Sequence, residues 1–361
     1  MKSSGTDKLF KKAETLKQKS RYTEALDLFN KALKLYTCSG DFPGVMECQL
    51  SIGDVNRMTG DFDKAEKSYK NAIKTAKKIH DFPAIADGET GIGLSLRAKG
   101  DWKRALERFA AATDYYQSTG DKHGMAFSLW AIAGALRIKG DILQAIDTFK
   151  QALKAFKYLK QESSTGYCLC GLGGTSRIAG LFRDSLNYYN QANTLFAGLK
   201  DTFGTAYSYC GIGNACRMVG DYKKALRYFK KASALYNKIG DRVSYAYTLW
   251  SIGTTYKMLG DYQKASEYFK LSQNLFRQTK DPRGLIYSEL GFGEIALLEG
   301  RKKKAEKYFR QSANNAIKYG FKVESCHAEM LYSFLSGKTK TACYNKLGLK
   351  LRFETMPLNL P

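Results

Sequence analysis

The chain has 361 residues, 44% of them hydrophobic, with 33 Gly and only 5 Pro, so it can build a substantial core and does not have a disordered composition. Its 58 Lys+Arg against 34 Asp+Glu give a formal charge of +24, a field that attracts polyanions and acidic peptides and disfavours contact between two copies, so a monomer is expected. The N-terminal "MKSSGTDKLFKKAETLKQKS" lacks the apolar run of a secretory signal, and no segment reaches the ~18 apolar residues that span a bilayer, so a soluble, cytoplasmic protein without membrane insertion is expected.

From residue 8 onward the chain repeats. The first unit starts near Lys8 and places Tyr22, Ala25, Phe29 and Ala32 on one helical stripe. Then "SIGDVNRMTGDF" at 51, "GIGLSLRAKGDW" at 91, "AIAGALRIKGDI" at 131, "GLGGTSRIAGLF" at 171, "GIGNACRMVGDY" at 211, "SIGTTYKMLGDY" at 251 and "GFGEIALLEGRK" at 291 follow at a period of forty, with no insertion or deletion. A second pattern trails each one: Ala65, Tyr69 and Ala72, or Ala105, Phe109 and Ala112, or Ala225, Phe229 and Ala232, at i, i+4 and i+7.

Each unit therefore reads as a helix of roughly fourteen residues, a Gly-Asp turn, a second helix and a short connection such as "SGDFPG" or "TKDPRG". The glycine suits a left-handed helix end, and the aspartate can cap the next helix. One pair cannot bury its apolar stripe alone, so neighbours must stack into a solenoid. The expected organisation is an array over residues 1–320, a capping helix over 321–337 around "VESCHAEMLYSFL", and a C-terminal tail over 338–361. That tail leaves the repeat, and either folds back on the last helices or docks a partner.

The large apolar residue, Gly, Gly-Asp-aromatic and Ala-x3-Phe-x2-Ala spacing, as in Ile212, Gly213, Gly220, Tyr222, Ala225, Phe229 and Ala232, resembles the tetratricopeptide repeat over about residues 5 to 320. A forty-residue period and the absence of a proline closing the second helix depart from the common form. They look like the longer-helix class of kinesin light chains, spindle-orienting adaptors and bacterial peptide-sensing regulators. The resemblance implies an all-α, right-handed superhelical solenoid of about eight helix pairs with a capping helix. It also implies a protein-binding scaffold whose first helices line a concave groove.

At 100° per residue, Tyr207, Cys210, Asn214 and Arg217 share a stripe of ~80°, while Tyr209, Ile212, Cys216 and Val219 form the apolar side expected against the partner helix. Arg217 is thus expected in the groove, and its register is held by Lys17, Arg57, Arg97, Arg137, Arg177, Arg217 and Lys257, ending at Leu297. Two readings compete for this series. A cation in a helix's last turn offsets the dipole by about 0.3–1 kcal/mol; a ladder of mostly arginines suits carboxylate or phosphate.

Ten residues earlier in the stripe runs an aromatic row, Phe127, Tyr167, Tyr207, Tyr247 and Tyr287, with Glu47 and Asp87 in its place in earlier units and Trp130 and Trp250 one turn further in. Such a row is either core or rigid contact area. Small residues, Gly134, Gly174, Asn214 and Thr254, separate the two rows, and the recurrent glycines point to close helix packing.

An extended peptide advances ~3.3 Å per residue, so cations spaced like packed helices at ~8–10 Å match an acidic group at about every third position. The expected partner is another protein presenting an extended acidic segment. Single-stranded nucleic acid on the same basic, aromatic face is the alternative, and a small-ligand groove the weaker one. The family's carboxylate-clamp form does not fit, because its places hold residues such as Tyr207, Cys210 and Gly211. No enzyme, cofactor or metal is expected: His80, His123 and His327 are isolated, and no metal or nucleophile-base spacing occurs. The eight cysteines (Cys38, Cys48, Cys168, Cys170, Cys210, Cys216, Cys326, Cys343) are scattered at apolar helical positions, the pattern of reduced thiols used as small filler.

Overall fold

The computed structural model describes residues 3–337 and 341–361, so the expected start of the tail at 338–340 lies outside the described residues. Sixteen helices of 16 to 18 residues run in sequence as eight pairs: α1 (Ser3–Gln18) and α2 (Tyr22–Ser39), α3 (Phe42–Met58) and α4 (Phe62–Lys78), α5 (Phe82–Ala98) and α6 (Trp102–Thr119), α7 (Lys122–Lys139) and α8 (Ile142–Tyr158). There follow α9 (Glu162–Ile178) and α10 (Phe182–Leu199), α11 (Thr202–Met218) and α12 (Tyr222–Ile239), α13 (Arg242–Met258) and α14 (Tyr262–Gln278), α15 (Pro282–Leu298) and α16 (Lys302–Tyr319). Then come α17 (Lys322–Ser333), a 3-10 turn (Phe334–Ser336) and the short α18 (Ala342–Lys346). No strand occurs among the described residues, and no helix among them is long and apolar enough to cross a membrane.

The helices are longer than the fourteen residues expected because the links take only two or three. After α11, Gly220 at φ +84° turns the chain while Asp221 N–H bonds back to Cys216 O at 3.0 Å, and the Asp221 carboxylate accepts from Lys224 N–H at 3.1 Å to open α12. Val219, expected against the partner helix, is exposed, since α11 ends at Met218 and Val219 belongs to the turn.

The second-helix stripe forms the core: Ala225, Phe229 and Ala232 are 0% exposed, and a fully buried Phe contributes about 1.5–3 kcal/mol. The recurrent glycines make room for these rings. A Cβ on Gly211 would lie 2.0 Å from the Tyr189 ring of the preceding pair, and one on Gly213 would lie 2.7 Å from Phe229 of its own pair. The first helix α11 thus rests on two aromatic rings, which is the close packing expected from the sequence.

Contacts divide the chain into two compact units, residues 1–131 with 238–241, and residues 132–237 with 242–361. In the first, α1, α3 and α5 stack on one another and each packs on its own second helix. In the second, α9, α11, α13 and α15 stack in the same way, and α17 packs on α15 and α16 where a further first helix would stand. One expectation is overturned here. Cys326 on α17 and Cys343 on α18 form a disulfide, because the short helix folds back and brings their Cα atoms to 5.4 Å, within bridging range; the other six cysteines are free thiols.

Candidate functional site

The seven cations are not equivalent. In the first unit Lys17 Nζ lies 2.9 Å from Glu14 and 3.7 Å from Asp54, and Arg57 lies 3.5 Å from Asp54 and 3.3 Å from the Tyr69 hydroxyl. Arg97 donates to Ala131 O at 3.3 Å and its guanidinium sits 5.0 Å from the Trp130 ring centre. In the second unit Arg137 reaches across to α9, where a Cβ on Gly174 would come within 2.9 Å of its Nη1. The Nε of Arg137 and the Nε and Nη1 of Arg177 are buried and make no hydrogen bond among the described residues.

Arg217 and Lys257 are covered by the chain's own C-terminal segment, a stretch without helix or strand in which Leu358 and Leu360 are buried. Arg217 donates to the Asn359 side-chain oxygen, to Leu360 O at 2.9 Å and to Asn214 Oδ1 at 3.2 Å. Asn359 in turn donates to Arg217 O at 2.8 Å. Lys257 pairs with Glu294 and donates to Leu358 O at 2.8 Å, and Glu294 also accepts the Leu358 N–H. Earlier in the tail, Lys350 N–H bonds Ala179 O at 2.9 Å, and Tyr344 on α18 lies 2.8 Å from His327 Nδ1.

The aromatic row is used mainly for stacking one pair on the next. Tyr167 packs on Phe196 at 4.8 Å and donates to Asp201, the cap of α11, at 2.7 Å; Tyr247 packs on Phe276 at 4.8 Å and bonds Asp281, the cap of α15. Tyr207 stacks on Phe203, and Phe127 lies beside Trp130, all four half-buried. Trp250 and Tyr287 are buried against each other at 4.8 Å, with Tyr287 bonded to Glu324, which corrects their expected place as ligand contacts.

The tetratricopeptide-repeat model matches residues 7–78, 84–157, 164–238, 204–278 and 244–318. The chain is a tetratricopeptide-repeat protein. Solved structures of similar fold include a Rap protein complexed with competence and sporulation factor, at 16% identity and TM-score 0.60 over 95% of this chain and 98% of that one. They also include NprR in complex with its cognate peptide NprX, at 14% identity and TM-score 0.60 over 82% and 85% of the two chains, and the APC/C hetero-tetramer Cut9-Hcn1, at 17% identity and TM-score 0.61 over 91% and 55%. A comparison with curated protein sequences finds no match. At these identities the likeness concerns the fold alone.

Within this tetratricopeptide-repeat chain the electrostatics of the covered cations follow from burial. Arg217, 0% exposed, is pushed down to about 9 by desolvation, with the nearby Arg177 charge acting in the same direction. Burial also lowers Lys257 and raises Glu294, each partly offset by the other's charge. The first unit differs: Glu47 and Asp87 stand where the second unit has tyrosines, both raised by burial and neighbouring carboxylates, so this part of the face carries both signs.

Sequence reasoning missed Glu294, Leu358, Asn359 and Leu360. For Glu294 a signal existed. It occupies the register of Gly174, Asn214 and Thr254, where the other units of this stretch are uncharged.

Proposed function

We propose that the first-helix face of residues 132–237 and 242–361 holds a peptide segment of a partner protein, and that the chain serves as a non-enzymatic adaptor. The observation that carries this reading is the segment already lying there, whose carbonyls at Leu358 and Leu360 accept from Lys257 and Arg217. A face whose cations bind the backbone of one non-helical segment can bind another. Arg137 and Arg177, with buried N–H groups that make no hydrogen bond among the described residues, favour acidic side chains, since an unpaired buried donor gains most from a carboxylate. The peptide named in the NprR complex supports the same direction by analogy of fold.

Nucleic acid is the less supported reading, because base stacking needs open rings and Tyr167, Tyr247, Trp250 and Tyr287 are packed against neighbours. A random-peptide display selection on the full chain, run in parallel on the tail variant Leu358→Ser/Leu360→Ser, tests the proposal. Enrichment of Asp and Glu, with binding lost in Arg137→Ala/Arg177→Ala, is expected. Recovery of no binders from either protein, or an oligothymidylate affinity with a log-log salt slope steeper than about −3, would overturn it.

A further inference from the structure

The tail does more than fill the face; it sets a direction and a pitch. Leu358 O meets Lys257 and Leu360 O meets Arg217, so two residues of tail advance one repeat, and the chain runs from the cation of the seventh repeat toward that of the sixth. The reason is geometric. In an extended chain the carbonyls of residues i and i+2 leave the same edge, whereas i+3 points away, so a three-residue register would miss every second cation. Two extended residues cover ~6.6 Å, and the long Lys and Arg side chains take up the remainder of an 8–10 Å helix spacing. This replaces the every-third-residue register expected from spacing alone.

Between the two leucines, Asn359 turns its side chain to the Arg217 guanidinium and its amide to Arg217 O. Positions 359, 361 and 363 of a chain continuing on this track therefore aim side chains at Arg217, Arg177 and Arg137 in turn. The tail supplies Asn359 at the first of these positions and the apolar side chain of Pro361 at the second, and the oxygens it offers Arg217, those of the Asn359 side chain and the Leu360 carbonyl, are uncharged. Meanwhile Arg217 is buried by this segment at a cost visible in its lowered pKa.

Resting on the peptide-binding reading above, we infer that residues 357–361 are a resident competitor that occupies the Lys257–Arg217 part of the face. The partner peptide that displaces them runs in the same direction with the pattern Leu-(Asn/Asp)-Leu-acid-x-acid. Its leucines replace Leu358 and Leu360, and its two acids reach Arg177 and Arg137, which the tail leaves without a hydrogen bond at three buried nitrogens.

The experiment uses fluorescein-labelled PLNLEAE, its neutral form PLNLQAQ and its reversed sequence EAELNLP in anisotropy titrations of the full chain. PLNLEAE is expected to bind Leu358→Ser/Leu360→Ser at least tenfold tighter than the unaltered chain. It should bind at least tenfold tighter than either control, with the advantage over PLNLQAQ lost in Arg137→Ala/Arg177→Ala. In the unaltered chain, saturating PLNLEAE should raise hydrogen exchange at the Leu358 amide, which Glu294 holds in the resting state. That readout does not depend on how the tail variant folds. Equal affinity for the forward and reversed peptides overturns the direction, and an unchanged Leu358 amide at saturation overturns the competition. If acidic peptides from the display selection bind through Arg137 and Arg177 while these results hold, only the present inference falls; if no acidic peptide binds any form of the chain, the peptide-binding reading falls with it.

Discussion

Replacing Glu294 by Leu tests whether the tail is locked by a buried ion pair or merely lies over one. Glu294 is 0% exposed and serves two donors, Lys257 Nζ and the Leu358 N–H, while Lys257 is 2% exposed and donates to Leu358 O as well. Truncating one member of such a pair leaves an uncompensated buried charge, at about 3–5 kcal/mol. Replacing both by apolar residues of similar volume removes the desolvation penalty of both but leaves the Leu358 N–H and carbonyl without these partners, so Lys257→Met/Glu294→Leu should lose about 1–3 kcal/mol, less than either single variant. The coupling in the double-mutant cycle should then exceed ~2 kcal/mol. Urea unfolding followed by circular dichroism supplies the four stabilities, and hydrogen exchange at Leu358 reports whether the tail lifts first. If the double variant loses as much stability as Lys257→Met and Glu294→Leu lose together, the pair contributes no coupling and the tail is held by its leucines.

Three further outcomes are expected. His327, buried and pushed down to about 3 by desolvation and the Arg283 and Arg177 charges, stays neutral in the fold while the unfolded chain binds a proton below ~6.5. Stability should therefore fall by about 1.4 kcal/mol per pH unit on acidification from 6.5 toward 3, and His327→Gln should flatten thermal stability between pH 7 and 5. Gly211→Ala gains about 1 kcal/mol of helix propensity but drives a Cβ to 2.0 Å from Tyr189, so a net loss of about 1–2 kcal/mol is expected by thermal unfolding, with Tyr189→Leu in the same chain recovering most of it. Lys17→Ala/Arg57→Ala should leave affinity for PLNLEAE on the tail variant within twofold, because Asp54 pairs with both cations and the peptide track lies on the other unit; a tenfold loss would contradict that placement.

The repeat was legible because forty-residue register, Gly-Asp turns and Ala-x3-Phe stripes are each imposed locally, by helix ends and by ring packing, and each recurs. Gly211 and Gly213 could be read as packing positions for the same reason. What was not legible depended on contacts distant in sequence. The tail's "PLNLP" carries no period and no charge, so nothing in it announces that Asn359 reaches Arg217, 142 residues earlier. The Cys326–Cys343 bridge likewise needs the fold-back of α18, which a five-residue helix after a break in the pattern does not advertise. How far each ring of the aromatic row is buried depends on which aromatic or cap residue the adjoining pair offers it.

The sorting of the cation series follows from one further geometric fact. Three of these long side chains lean toward the next first helix, so the residue thirty-seven positions later stands opposite: Asp54 for Lys17, Gly174 for Arg137 and Glu294 for Lys257. An acid at that place neutralises the cation within the stack, whereas a glycine leaves space for the guanidinium and supplies no counter-charge. Helix capping alone would be indifferent to this residue, since the helix dipole acts within the cation's own last turn. The series is therefore best understood as a set of identical groups whose availability is set by their neighbours: paired at the two ends, turned onto Trp130 at Arg97, unpaired at buried nitrogens of Arg137 and Arg177, and covered by a neutral tail at Arg217. On the peptide-binding proposal, recognition on this face then rests less on the charge of +24 over the whole chain than on the two guanidiniums whose buried nitrogens make no hydrogen bond among the described residues.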